Sequence, residues 1–402
     1  MRKIIVNYLV VFLITCITAL GSISVSVYLL SLPVITKSLN CDPSATQFTV
    51  TAFLFIFALS QLVYGSLSDR FGRKSPILAG IIVYTQGSIL CALAYDINIL
   101  IIGRLVQGIG ASAGPSLGKA IIRDMYEGSK LTSSLAIVTA AVALSPMLGP
   151  FMGGYIDTFW GWRVIFLALV IVAVMLGLTV NFLLPETIQQ RNSRSTHIKV
   201  IFQRYKILIA DKEYIFATLC AGCLTAGNFA WNSAAPFVFS DFFHVNADNY
   251  GTLSVFVGAG YLTGTISTSF LSRYLTNYRI VYSGLLLSLI SSVLLFLPSI
   301  FLSSAWQMLI PMIMYTVGMG IVIPAAAACA MSRFSEIAGS AAGLFGAIQI
   351  FIGALGSAII SIFHTSSALP VVCILFAFAL LAFYCGQIAL FPLRAKIISK
   401  LK

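Results

Sequence analysis

The chain has 402 residues, of which 59% are hydrophobic and only 9% are charged. A soluble globular protein does not bury that much apolar surface, so the composition indicates a polytopic membrane protein. The net charge of +12 would suit a nucleic-acid partner, but nearly all Lys and Arg residues fall in alternate loops and at both termini, which is typical of inner-membrane proteins.

Apolar runs of about 20 residues recur along the whole chain, which is the length of a membrane-spanning helix and about twice that of a barrel strand. Span 1 follows Arg2 and Lys3 as a signal peptide would, but it lacks a small-residue cleavage site, so we expect it to be retained. The side that collects the bases is the cytoplasm, and both termini are expected there. We predict twelve transmembrane helices, called spans 1 to 12, at residues 4–32, 44–66, 76–95, 98–121, 132–155, 163–184, 213–240, 249–272, 280–298, 306–330, 338–363 and 368–391.

A long polar segment divides the chain into two halves of six spans each. We predict an N-terminal six-helix bundle at 1–184, a cytoplasmic linker at 185–212 and a C-terminal six-helix bundle at 213–402. The halves also resemble each other, because residues 67–71 return loosely as residues 271–275. The sequence therefore predicts an all-α membrane protein of two pseudo-symmetric bundles around a central cavity, an architecture of transporters with internal repeats.

The segment from Gly65 to Lys74 is the densest run of charge in the first half and lies between spans 2 and 3. Charged side chains avoid lipid, so we expect this segment at the cytoplasmic membrane face. The carboxylate of Asp69 can cap a helix N-terminus, and nearby guanidinium groups can pair with it. A solvated loop that only follows the charge bias is the alternative. We predict a conformational latch built from Gly65, Asp69, Arg70, Gly72, Arg73, Lys74, Arg123 and Asp124.

Arg104 is a strong base that the sequence places well inside span 4. A buried guanidinium group needs a partner or a water-filled cavity, whereas an arginine near the outer edge can extend to lipid headgroups instead. Polar and aromatic residues in other spans are candidates for a substrate cavity, and an interhelical hydrogen bond or a packing role is the alternative for each. These candidates are Tyr28, Gln107, Asn228, Trp231, Asn232, Tyr261, Tyr315 and Gln349.

Span 5 carries a motif of small and kink-forming residues, namely Pro146, Gly149, Pro150, Gly153 and Gly154. Pro150 removes a backbone hydrogen bond and bends the helix, while the glycines permit another helix to approach closely. We expect this face to pack on span 8, where Gly258, Gly260 and Gly264 would receive it.

Several of these runs resemble motifs of the major facilitator superfamily. Residues 65–74 match its loop 2–3 motif at nearly every position, residues 102–111 resemble its span 4 motif, and residues 143–154 resemble the span 5 motif of its drug exporters. Together with residues 123–128, 160–163 and 185–187, they make the chain similar to the bicyclomycin/chloramphenicol-resistance type of exporter. The resemblance is specific in the first half and looser in the second.

The resemblance implies export of a small drug-like molecule or metabolite by alternating access, with protons as the coupling ion. It implies that the latch closes in the outward-open state, with Asp69 facing the start of span 11 near Ala338. It also implies that Arg104 faces the cavity and takes part in proton exchange.

One departure from the family concerns the acid of span 1, because Ser26 occupies the position where the family carries an Asp. None of the twelve acidic residues lies near the middle of a predicted span. We therefore hold two hypotheses. Arg104 meets an anionic or carbonyl-bearing substrate, and coupling uses Asp69, Asp124 or an edge acid such as Asp157.

The sequence contains no nucleotide-binding loop and no catalytic constellation, and its three histidines are scattered. Cys220 and Cys223 imitate a redox motif but lie inside span 7, where a packing pair is expected. We predict a monomeric exporter of small organic compounds in the lipid bilayer, without enzymatic activity, cofactor, metal or nucleic acid. The alternatives are a dedicated single-metabolite exporter or importer without the usual span 1 proton site, and a membrane sensor that does not transport.

Overall fold

The fold is all-α, as the sequence predicts. Ten helical stretches are long and apolar enough to cross a membrane, and the helices Gly128–Trp160 and Ala247–Leu271 lie where spans 5 and 8 were expected. The fold class is thereby confirmed. The computed structural model describes residues 2–126, 128–187, 198–243, 245–300, 304–334, 337–363 and 368–401, and no strand occurs in these ranges.

The helices follow the predicted order of spans. Spans 1 to 6 contain Arg2–Ser26, Leu32–Ser38, Pro43–Phe71, Lys74–Ala92, Ile97–Ala111, Ala113–Met125, Gly128–Trp160 and Trp162–Leu183. Spans 7 to 12 contain Lys212–Phe243, Ala247–Leu271, Asn277–Leu294, Phe296–Ile300, Ala305–Met331, Ala338–Ile362 and Leu369–Leu401. A further helix, Ile198–Ala210, lies in the segment between the two halves.

Span 1 is interrupted near its outer end. A 3-10 turn at Leu29–Ser31 separates the helices Arg2–Ser26 and Leu32–Ser38. Pro33 lies in the first turn of the second helix, where proline is tolerated because the N–H it lacks would have no intrahelical partner. Span 1 therefore continues to Ser38, beyond its expected end at residue 32.

The charged segment between spans 2 and 3 is more helical than expected. The helix of span 2 runs to Phe71 and that of span 3 begins at Lys74, so only two residues form the turn. Gly72 supplies the left-handed backbone conformation that the turn requires, with φ of 91°. Gly65 lies inside the helix, so most of the predicted loop is a helical extension beyond the apolar part of span 2.

The chain forms two compact units. The first unit comprises Met1–Ile201 together with Ala247–Thr252, and the second comprises Phe202–Asn246 together with Leu253–Lys402. The first residues of the span 8 helix therefore group with spans 1 to 6, and its remainder groups with spans 7 and 9 to 12.

Glycines bring spans 3 and 4 into backbone contact within the first unit. A Cβ atom added at Gly110 would collide with the backbone of Tyr84 and Gly80. One added at Gly87 would collide with the backbone nitrogen of Gln107. Since no side chain separates the helices at these positions, polar side chains beside them can reach across the interface.

The span 5 motif packs differently from the expectation. Gly149 and Gly153 lie against Ser26 and Val27 of span 1. Gly154 is buried, and the side chain of Pro146 lies outside the described part of the structure. Span 1 packs closely on these glycines, because the first helix of span 1 ends at this point.

The glycines expected to receive span 5 have other neighbours. Gly260 lies against Ile313 and Thr316, and Gly264 against Val317, all in span 10. Span 8 meets the motif through Gly251 instead, where an added Cβ would lie 2.9 Å from the carbonyl oxygen of Pro150. The contact between spans 5 and 8 thus lies at the first turns of span 8, within the first unit.

We expect Gly110→Ala to lower the melting temperature of the purified protein, because overpacking against the span 3 backbone costs about 1–3 kcal/mol. Thermal unfolding in detergent, followed by circular dichroism, measures the effect. Gly343→Ala is the matched control, since no described atom lies within 4 Å of its added Cβ. Alanine there should be neutral or favour the helix by about 1 kcal/mol. Equal melting temperatures for Gly110→Ala and the unchanged protein would contradict the close contact.

Candidate functional site

Arg104 lies on the helix Ile97–Ala111 and is completely buried within the first unit. Its Nη1 donates to Oε1 of Gln107 at 2.5 Å and to the carbonyl oxygen of Ser24 at 3.3 Å. Its Cζ lies 4.6 Å from the ring centroid of Tyr28 and 4.3 Å from that of Phe53. The guanidinium group therefore sits between aromatic faces that attract a cation, and it does not extend to lipid headgroups.

Hydrogen bonds connect Arg104 and its ring neighbour Tyr28 to three other spans. Gln107 donates from Nε2 to Oγ of Ser88 on span 3 at 2.8 Å. The hydroxyl groups of Ser24 on span 1 and Tyr84 on span 3 are 2.5 Å apart. The hydroxyl groups of Tyr28 and Thr49, on spans 1 and 2, are also 2.5 Å apart. We call Arg104, Gln107, Ser24, Ser88, Tyr84, Tyr28 and Thr49 the arginine network.

The arginine network contains no carboxylate. Nε and Nη2 of Arg104 are buried without a hydrogen-bond partner among the described residues. Burying an ion in this way costs several kcal/mol unless partners compensate it, and the partners of Arg104 are an amide, a carbonyl and two rings. The arrangement leaves two N–H donor groups with which a carbonyl or anionic oxygen could form hydrogen bonds.

The other cavity candidates fall in the second unit, where several are used in packing. Trp231 and Tyr315 are buried, and the Tyr315 hydroxyl donates to the carbonyl oxygen of Leu224 at 3.0 Å. Trp231 makes an edge contact with the ring of Phe239. These two residues therefore have a packing role, which was the alternative to lining a substrate cavity.

The remaining candidates in the second unit are less buried. Asn232 donates from Nδ2 to Oδ1 of Asn228 at 3.0 Å, and Gln349 donates from Nε2 to Oγ1 of Thr225 at 3.0 Å. Asn232, Gln349 and Tyr261 are partly exposed. Asn228 and Asn232 share a helix face as the spacing predicts, and the amide-to-amide bond orients both groups.

A second cluster of charged groups forms around Arg73. Its Nε donates to Oδ2 of Asp124 at 2.9 Å and its Nη1 to Oγ of Ser68 at 2.6 Å. The backbone N–H groups of Arg73 and Lys74 donate to the carboxylate of Glu186 at 2.8 and 3.4 Å. Glu186 therefore caps the N-terminus of span 3, where a helix favours an anion.

Glu186 is the residue that the sequence analysis missed in this cluster. An acid directly after Pro185, at the end of span 6, is the signal that would have suggested it. Gly72 lies so close to this carboxylate that an added Cβ would collide with it. Lys74 adds a bond from Nζ to the carbonyl oxygen of Asn181 at 2.8 Å.

Three members of the predicted latch lie apart from Arg73. Arg70 and Arg123 are exposed, and Arg70 lies over the ring of Phe71. Gly65 has no described atom within 4 Å of an added Cβ. The side chain of Asp69, the centre of the predicted latch, lies outside the described part of the structure.

Two further charged features were not predicted from the sequence, an ion-pair cluster in the second unit and a lysine in the first. In the second unit, Arg333 lies 2.6 Å from the carboxylate of Glu213 and 3.4 Å from that of Asp211. In the first unit, Lys119 is exposed on the helix Ala113–Met125, so the predicted span 4 holds a second base besides Arg104. Lys119 lies near the end of the predicted span, where bases are common, so the sequence did not mark it as unusual.

Comparisons with known proteins show the family of this chain. A model of the Major Facilitator Superfamily matches residues 12–357. The MFS-type transporter YdgK of Bacillus subtilis is 28% identical, over 95% of this chain and 94% of that protein. The bicyclomycin resistance protein homolog of Haemophilus influenzae is 26% identical, over 88% of this chain and 89% of that protein. Multidrug resistance protein D of Escherichia coli is 24% identical, over 85% and 86%.

Among solved structures, the fold is similar to the inward-open xylose transporter XylE of Escherichia coli. The TM-score is 0.76 at 14% identity, and 95% of each chain is covered. The family match spans most of the chain and includes the arginine network and the Arg73 cluster. This chain is therefore a multi-pass membrane protein of the Major Facilitator Superfamily, a family of transporters.

Proposed function

We propose that this protein is a secondary active transporter that exports small organic compounds across a bacterial inner membrane by alternating access. The proposal rests on its membership of a transporter family and on relatives named for resistance to bicyclomycin and to multiple drugs. Two six-helix bundles at 1–184 and 213–402, both termini in the cytoplasm, a monomeric state and protons as the coupling ion belong to the same proposal. Transport requires no enzymatic step.

The observation that carries the proposal is the buried Arg104 with two unused N–H groups. Charged groups inside membrane bundles are costly and are mostly retained for function. In the proposed cycle, a carbonyl or anionic oxygen of the substrate accepts from Nε or Nη2 of Arg104. Tyr28 and Phe53 hold the guanidinium group in place meanwhile, because its charge is attracted to both ring faces.

The conformational latch is the second part of the proposal. The bonds of Arg73 to Asp124 and Ser68, and the cap that Glu186 provides for span 3, fix the cytoplasmic ends of spans 2, 3, 4 and 6 to one another. A rigid cytoplasmic end would let the first bundle move as one body, which alternating access requires. Asp69 remains the residue proposed to face the other bundle.

A dedicated single-metabolite exporter or importer remains the second candidate, because the span 1 proton site of the resembled exporters is missing. Ser26 stands in its place, and its hydroxyl donates to the carbonyl oxygen of Ser22 at 2.8 Å. A serine bonded in this way does not carry a proton across a membrane. The range of substrates that the protein transports distinguishes a multidrug exporter from a single-metabolite transporter.

Cells that lack their own drug exporters should accumulate less ethidium and chloramphenicol when they produce this protein. Collapse of the proton gradient with a protonophore should abolish the difference. Cells producing Arg104→Ala are the inactive control. Equal accumulation with and without the protein, at verified membrane expression, would contradict multidrug export and favour the single-metabolite candidate.

Arg104→Lys should lower transport at least about tenfold, which corresponds to about 1.4 kcal/mol. Lysine keeps the charge but lacks the planar fork that bonds Gln107 and Ser24 while lying between two rings. Efflux rates per transporter molecule measure the effect. Arg163→Lys is the matched control, since Arg163 also donates to a backbone carbonyl, that of Ala94, and lies over a ring. A fully active Arg104→Lys would argue against the role of the arginine network.

Reversal of the charges at Arg73 and Asp124 tests the latch. Arg73→Asp and Asp124→Arg alone should each slow efflux severalfold, because each replaces this ion pair with two like charges. The double variant should recover part of the rate, as coupled neighbours do in double-mutant cycles. Arg70→Asp, at an exposed site, is the control. A double variant no faster than the slower single one would show that this ion pair does not matter.

A further inference from the structure

A second buried charge of the first unit lies outside the arginine network. Asp157 is near the end of the helix Gly128–Trp160 and is only 7% exposed. Neither of its carboxyl oxygens has a hydrogen-bond partner among the described residues. An ionised carboxylate is costly to bury without a partner, so a site of this kind favours uptake of a proton.

The register of spans 1 and 5 brings Asp157 to the break in span 1. Gly149 and Gly153 lie against Ser26 and Val27, and Asp157 is one further turn along the same face of span 5. There it meets Ser31, the last residue of the 3-10 turn, whose hydroxyl faces the carboxyl group. Ser31 Oγ is itself buried without a hydrogen bond in the described structure.

Among the described residues, no base forms an ion pair with Asp157. Spans 1, 4 and 6 pack against span 5, and span 8 meets it through Gly251. Ser31 is the side chain among the described residues that acts on this carboxyl group. Arg104 is held in the arginine network, and Arg163 donates to the carbonyl oxygen of Ala94 at 2.8 Å. Lys37 and Lys119 are exposed.

We propose that Asp157 takes up and releases the coupling proton in this protein, in place of the acid that Ser26 replaces. The inference rests on the proposed proton-driven export. The step is a simple protonation, in which the carboxylate accepts a proton from the outer side, forming an O–H bond, and later returns it to water. No other bond forms or breaks.

Span 1 supplies the physical connection between the proton and the substrate. Ser24 and Tyr28 contact Arg104, while Ser31, three residues after Tyr28, faces Asp157. These residues border or belong to the interrupted part of span 1, where the helix has lost its regular hydrogen bonds. A shift of this segment when a substrate engages Arg104 would change the surroundings of the carboxyl group, which is how the two events become linked.

Infrared spectroscopy tests the inference without a substrate. The spectrum of the full chain in liposomes at low pH should contain the carbonyl stretching band of a protonated, buried carboxylic acid, and this band should disappear at high pH. We expect Asp157→Asn to lose that band. Asp42→Asn is the matched control, because Asp42 is exposed near the same end of the bundle and its side chain makes no capping bond; this variant should keep the band. A band unchanged in Asp157→Asn would overturn the inference.

Transport in the same liposomes supplies the second test, with labelled chloramphenicol as the probe. Asp157→Asn should lose the acceleration by an imposed pH gradient, at least about tenfold, but keep exchange of labelled for unlabelled compound at equal pH. Retained exchange shows that the variant is folded. An unchanged response to the gradient in Asp157→Asn would overturn the inference and leave the proposed function standing. If the pH gradient does not change the transport rate of the unaltered protein, both proton coupling and this inference are wrong.

Discussion

The cost of burying a guanidinium group among membrane-spanning helices shapes the first half of this protein. Arg104 has no carboxylate beside it, so its charge must be held by dipoles and ring faces. Gln107 provides an amide oxygen, Ser24 a backbone carbonyl, and Tyr28 and Phe53 their rings. Each partner is fixed in turn by a bond or contact to another span, so four helices are held in register around one charge.

Close helix packing allows the side chains of this network to reach one another. Gly87 brings span 3 against the backbone at Gln107, and the next residue, Ser88, can then accept the amide bond at 2.8 Å. A larger side chain at Gly87 would separate the helices and remove this bond. The glycines of span 5 act likewise on span 1, and through them Asp157 reaches the interrupted turn at Ser31. Packing and chemistry are therefore not separable in this bundle.

The two units use similar chemistry at residues that the repeat relates only loosely. In the first, Arg73 bonds Asp124, and Glu186 caps the following helix. In the second, Arg333 lies between Asp211 and Glu213, at the start of the span 7 helix. An arginine paired with acids near a helix end thus occurs in each unit. Guanidinium and carboxylate groups suit this position because the pair is strong and directional even where water has access.

The sequence by itself determined the fold class, the order of the spans and the family. Hydrophobic length and the placement of bases are local properties, and a bilayer leaves few ways to satisfy the backbone. It also identified Arg104 and Gln107, since a charge inside an apolar run is visible without coordinates. The hydrogen-bond network around them could not be predicted from the sequence. Ser24, Ser88 and Tyr84 carry no sequence signal, and only the packing of three helices brings them together.

Only the tertiary structure decided which residues complete each site. Glu186 is far from Arg73 along the chain, and its position after Pro185 does not indicate which helix it caps. Gly260 and Gly264 face span 10 rather than span 5, because small residues permit close packing but do not choose a partner. The isolation of Asp157 is likewise a property of its surroundings. From the sequence, a carboxylate at a span edge is expected to be solvated. Only the packing of span 1 over Asp157 excludes water from it.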